Sequence, residues 1–178
     1  MPTLVPFEEI THLFADFERT AFRLETRRGY ATDRAGARFQ AFMRGTDPAP
    51  EADHPWNVNV RDKAEQGARF SRVRIIDEPP TDGQRFLMAT AAGNIAAGED
   101  IRVLPRTEAV LLKLPDYDLW LFDSRALVRM HIDATDTTTG VELIDDPAEV
   151  LAACRARDAA MAVARPSAEV WAQVRSSV

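Results

Sequence analysis

The sequence predicts an α+β domain: short strands in one mainly antiparallel sheet, covered on one face by helices, with a long C-terminal helix. Three observations carry that reading. Segments such as "FRLE" and "RVRI" alternate apolar and charged residues, the period of a strand with one buried face. Capping chemistry marks helix starts at Thr81-x-x-Gln84 and at Asp146-Pro147-Ala148-Glu149. Strict strand–helix–strand alternation is absent, which speaks against a doubly wound nucleotide fold. With 178 residues and 46% hydrophobic content, the chain suits a single domain over 1–178 with its own core.

Phe7, Ile10, Leu13, Phe14 and Phe17 fall at helical spacing, predicting a helix from Phe7 to about Arg19. "TAFRLET" (20–26) follows as a strand, with Phe22 and Leu24 on one face and Arg23 and Glu25 on the other. A helix is expected over Asp33–Met43, then a loop over 45–55, then helix again by Arg61–Gln66. In "FSRVRIID" (70–77), Val73 and Ile75 point one way and Arg72 and Arg74 the other, until Pro79-Pro80 stops the strand. Thr81 opens a helix toward Ala92, and "DIRVLP" forms a short strand after Gly98. A hairpin over 118–133 and a strand over 140–144 precede the long helix from Asp146 to about Ala164. Pro166 ends that helix, and a short one covers 168–176.

The hairpin "DLWLFDSRALVRMHID" (118–133) divides by faces. An even-numbered loop sets Leu121 opposite Val128 and Leu119 opposite Met130, which makes one face wholly apolar. That register brings Trp120 opposite Arg129 and Asp118 opposite His131 on the other face. An odd loop mixes polar and apolar residues on both faces, so burial of a single face favours the even register.

Charge and composition exclude several classes. A net charge of −6 argues against a general nucleic-acid binder, so no direct nucleic-acid partner is expected. No apolar run approaches the roughly 18 residues of a membrane span, and the N-terminus lacks the basic and apolar regions of a signal peptide. The lone Cys154 rules out an internal disulfide framework, and a cytoplasmic location is expected. His12, His54 and His131 are dispersed, so no metal site is expected. Neither GxGxxG nor a Walker loop is present, and no cofactor is expected. Of the basic residues, 20 are Arg and two are Lys, so any anion site would be built from planar guanidinium forks.

If strands 20–26, 70–77 and the hairpin share a sheet, burial of their apolar faces gathers the charged residues on one side. Arg23, Arg72, Arg74, Arg129, His131 and Trp120 then form a surface for an anionic or aromatic ligand, with Asp118 orienting the cations. Glu25 and Glu78 are the candidate acid/base carboxylates, Glu78 because it ends a strand. On this reading Arg72 and Arg74 are replaceable together without loss of the fold.

The segments "TAFRLETRRGY", "GARFSRVRIIDEPPTDGQRF", "AGEDIRVLPR", "DLWLFDSRALVRMHID" and "RDAAMAVA" together resemble an uncharacterised actinobacterial domain-of-unknown-function family. Its members are often encoded near helix-turn-helix regulators or in specialised-metabolite gene clusters. The resemblance includes Arg23, Glu25, Arg72, Arg74, Glu78, Arg85, Arg106, Trp120, Asp123 and Arg125, and adds Arg85 to the candidate ligand-binding set. Gly83 and Leu87 depart from it, standing where the family has an aromatic and an acid. The resemblance implies a regulatory or biosynthetic accessory role; joined to the Arg-bearing face, it gives a cytoplasmic accessory protein that binds a partner regulator or a small anionic ligand or metabolite through that face. The alternative is a cofactor-independent enzyme of specialised metabolism, with a carboxylate as acid/base and Arg residues holding an anionic substrate.

Overall fold

The computed structural model describes residues 3–177. A seven-stranded mixed sheet organises the chain, in the order β6-β5-β4-β1-β2-β3-β7. The strands are β1 (Thr20–Glu25), β2 (Arg69–Ile76), β3 (Asp100–Pro105), β4 (Leu119–Phe122), β5 (Ala126–Ile132), β6 (Thr138–Ile144) and the short β7 (Arg165–Pro166). The β1–β2 and β2–β3 pairs are parallel, and the other four pairs are antiparallel. The helices are α1 (Leu13–Asp16), α2 (Ala31–Ala35), α3 (Ala37–Met43), α4 (Pro55–Glu65), α5 (Asp82–Ala97), α6 (Arg106–Leu111), α7 (Pro147–Val163) and α8 (Ser167–Ser176), preceded by a 3-10 turn at Phe7–Ile10.

Local chemistry explains most of the boundaries. The Thr81 side chain accepts from the Gln84 backbone while Gln84 accepts from the Thr81 backbone, the reciprocal capping box expected. Asp146 Oδ1 accepts from the backbones of Ala148 and Glu149, with Pro147 at the first position of α7. Gly98, at φ 113°, ends α5 in the left-handed conformation. Where the expectation was one helix through Phe7–Arg19, the chain makes a 3-10 turn and a single helical turn instead. Lys63 Nζ holds the Phe17 carbonyl at 2.8 Å as the backbone becomes extended. The helix expected over Asp33–Met43 is broken at Gly36 into α2 and α3.

The sheet is buried on both sides at its centre. One face packs Phe22, Leu24, Val73, Ile75, Leu119, Leu121 and Leu127 against α6 and α7. The other packs Ala21, Phe70, Trp120, Phe122, Val128 and Met130 beneath the N-terminal turns and α4. On that second face α8 packs beside Ile76, Met88 and Val103. Most helices therefore crowd one face, as expected, while α6 and α7 close the other. The parallel centre is wound through α4 and α5, which share one face, so the sheet is not doubly wound.

The double burial also corrects the hairpin register. Leu119 pairs with Arg129, Trp120 with Val128 and Leu121 with Leu127, which leaves a three-residue loop, Asp123–Arg125. The even register was favoured only on the premise that one face is buried. With a core on each side, Leu121 and Leu127 fill one and Trp120 and Val128 the other. Asp123 and Ser124 take positive φ (49° and 57°) at the turn, as mirror-image turns require.

Asp123 also clamps the entry to β1. Its carboxylate accepts from the backbones of Glu18, Arg19 and Thr20 at 2.8, 2.8 and 2.9 Å. Burial pushes its pKa up, but these three donors outweigh burial and hold it below the ordinary value. A carboxylate whose folded pKa is depressed stabilises above its unfolded pKa of about 3.9 and loses that contribution as pH falls through the folded value. Asp123→Asn is therefore expected to lower stability at neutral pH by about 1–3 kcal/mol and to flatten the acid limb below about pH 4. Urea melts across that range test this, and an acid limb unchanged from wild type would contradict it.

Candidate functional site

The geometry of β1, β2 and β4 places three arginines side by side. Arg23 is in register with Arg72 on one flank and Trp120 on the other, and Glu25 with Arg74. All of these side chains lie on the face covered by α4 and α5. Between sheet and helices lies a cavity of about 740 Å³, lined among others by Arg23, Glu25, Asp33, Arg72, Arg74 and Trp120.

The charged residues there are buried, not spread over a solvated sheet surface. Arg23, Glu25, Arg72, Arg74, Glu99 and Asp118 are each at most 9% exposed. Glu25 is the hub: its Oε1 accepts from Arg72 Nη1 at 2.7 Å and its Oε2 from Arg74 Nε at 2.5 Å, with Arg23 Nε at 3.5 Å. Glu99, delivered by the turn at Gly98, accepts from Arg72 Nε at 2.8 Å and from the indole N–H of Trp56 at 2.9 Å. Asp118 accepts from Arg23 Nη2 at 2.9 Å, the Thr26 backbone at 2.7 Å and the Tyr30 hydroxyl at 2.5 Å. Beneath the arginines lie indole rings, with Arg23 5.4 Å from the centre of Trp120 and Arg72 5.7 Å from those of Trp56 and Trp120.

Three arginines thus meet three carboxylates, and the network is neutral within itself. Spare donors remain: Arg23 Nη1, Arg72 Nη2 and Arg74 Nη2 have no acceptor among the described residues. Burial pushes the Glu25 carboxyl up, yet Arg72, Arg74 and Arg23 outweigh it and hold it well below the usual carboxylate range. So firmly ionised a group anchors the arginines and is poorly suited to proton transfer near neutrality. Burial, with the charges of Glu25 and Asp118 adding to it, raises the Tyr30 pKa well above its ordinary value. Its phenol stays neutral and donates to Asp118.

The other sequence-predicted residues are dispersed. Arg129 and His131 fall on the opposite face of the sheet from Trp120, because of the corrected register. There Arg129 pairs with Glu142 at 3.0 Å and Glu149 at 2.7 Å, and His131 contacts Glu142 at 3.2 Å. Asp118 sits with Arg23, not with His131. Glu78 is exposed beyond the end of β2 and does not line the cavity. Arg85 lines a separate groove of about 370 Å³ with Phe42, Asp82, Trp171 and Arg175.

Besides the aromatic wall residues Trp56 and Phe86, three residues of the site were not singled out in the sequence: Tyr30, Asp33 and Glu99. Asp33 is half-buried on the cavity wall, and its carboxylate has no hydrogen-bond or ion-pair partner among the described residues. Its pKa is raised, first by burial and then by Glu25, against the opposing pull of Arg74, Arg34 and Arg72. Only Glu99 carried a signal, as an acid just after a helix-ending glycine beside an Arg-bearing strand.

A family model described as a domain of unknown function (DUF6879) matches residues 8–172. The chain belongs to this family. Comparison with curated protein sequences returned no match. Among solved structures, NucT from Helicobacter pylori is similar at a TM-score of 0.49 and 8% identity, over 93% of this chain and 97% of that one. In this DUF6879 member, Leu87 lies on the cavity wall and its carbonyl accepts from Arg74 at 2.6 Å. Gly83 has no room for a side chain: a Cβ there would stand 2.4 Å from the Arg28 carbonyl oxygen.

Proposed function

We propose that this DUF6879 domain binds a small organic molecule in the cavity between the sheet and α4–α5. An acceptor group of the ligand, a carboxylate or comparable oxyanion, takes the spare N–H donors of Arg23, Arg72 and Arg74. The observation that carries this reading is the coincidence of those donors with an open cleft of about 740 Å³ walled by Trp56, Trp120 and Phe86. Ligand sites are typically concave, mostly apolar and about 300–1,000 Å³, with a few polar groups fixing orientation. Recognition through hydrogen bonds at a neutral network favours a specific small ligand over a broad polyanion. Occupancy of the cavity is then the signal that a partner, such as a helix-turn-helix regulator, reads.

A thermal-shift screen of small carboxylates, including 3-phenylpropionate, tests the reading. Saturable stabilisation is expected for the wild type. Thr90 lines the cavity from α5, and Thr90→Phe is expected to fill it and abolish the shift while the protein stays folded. Ligand stabilisation undiminished in Thr90→Phe would place binding elsewhere and overturn the reading.

A further inference from the structure

Every cation lining the cavity is already matched by an acid. Arg23, Arg72 and Arg74 share Glu25, Glu99 and Asp118, and Arg38 pairs with Glu51. Arg34, next to Asp33 in α2, is turned to Asp136 at 2.9 Å and to the Thr135 carbonyl. Asp33 is left as the one acid of the cavity wall whose carboxylate makes no ion pair or hydrogen bond among the described residues. The cavity therefore offers two different unmet requirements: N–H donors that lack an acceptor, and a carboxylate that lacks a cation.

From this we propose, on the basis of the reading above, that the ligand is a zwitterion. Its carboxylate lies against the spare N–H groups of Arg23, Arg72 and Arg74, its ammonium against Asp33, and its apolar body against Trp120, Trp56 and Phe86. A plain anion satisfies the arginines but leaves Asp33 unpaired and repelling it. A plain amine satisfies Asp33 but leaves the N–H donors unmet. A zwitterion answers both without adding net charge beside a buried ion network that is already balanced. The chemical class is that of an α-amino acid or related amino acid bearing a large apolar group.

Three probes with the same phenyl body separate the contributions: L-phenylalanine, 3-phenylpropionate, which lacks the amine, and 2-phenylethylamine, which lacks the carboxylate. Calorimetric titration of the full chain is expected to show L-phenylalanine binding at least tenfold tighter than either half-molecule. In Asp33→Asn the two acids should move in opposite directions, L-phenylalanine weakening and 3-phenylpropionate tightening as the repulsion disappears. A purely structural effect of the substitution would shift both the same way. If 3-phenylpropionate binds the wild type as tightly as L-phenylalanine, the zwitterion assignment fails and the carboxylate-binding reading stands. If none of the three binds, both fail together.

Discussion

Glu25→Ala is expected to be among the most destabilising single substitutions in this chain, by about 3–5 kcal/mol. Glu25 is buried and accepts from two arginines, with a third at 3.5 Å. Removing it leaves Arg74 without a carboxylate beside Arg23 and Arg72, which keep Asp118 and Glu99, so three buried guanidinium groups share two acids. Breaking a buried network by deleting one partner exposes the desolvation penalty of those that remain, which exceeds what the intact network contributes net. Glu25→Gln keeps the shape and one acceptor but loses the charge, so a smaller loss in the same direction is expected. Chemical denaturation at neutral pH measures both. A Glu25→Ala variant within about 0.5 kcal/mol of wild type, the range of ordinary surface substitutions, would show that the network does not hold the sheet and helices together.

The second large effect reverses an expectation drawn from the sequence. On an open sheet face, Arg72→Ala with Arg74→Ala would weaken a ligand and leave the fold intact. Here the pair supplies Glu25 with both of its close partners and Glu99 with one of its own. Removing both leaves two buried carboxylates short of cations, which must take up protons or open the layer to water. The double variant is therefore expected to lose cooperative unfolding or to melt far below wild type, with partial recovery at acid pH as Glu25 is protonated. A circular-dichroism melt at two pH values checks this. A native-like melt at neutral pH would return these arginines to the status of surface ligands.

These two substitutions also mark how far the sequence could be read. Alternation in "FRLE" and "RVRI" placed Arg23, Glu25, Arg72 and Arg74 on one face, and the sheet does bring them together. The capping residues Thr81 and Asp146 fixed the starts of α5 and α7 because their chemistry is local. What alternation could not convey was a second layer over that face. An Arg facing water and an Arg facing a buried Glu leave the same mark in a strand, and only the fold decides between them. The hairpin register failed for the same reason. The even register sets Val128 on the face of Leu121, whereas Val128 fills one core with Trp120 and Leu121 fills the other. Tyr30 and Asp33 were invisible because they enter the site from the residue before a one-turn helix and from that helix itself, without periodicity to expose them.

The measurement that bears most directly on the central claim is an amide chemical-shift map of the isotope-labelled protein titrated with 3-phenylpropionate. Saturable shifts are expected at residues 23–25, 30–33, 72–74 and 86–94, which surround the cavity. Shifts centred instead on Arg129, His131 and Glu142, or on the groove at Arg85 and Trp171, would contradict a ligand site between the sheet and α4–α5.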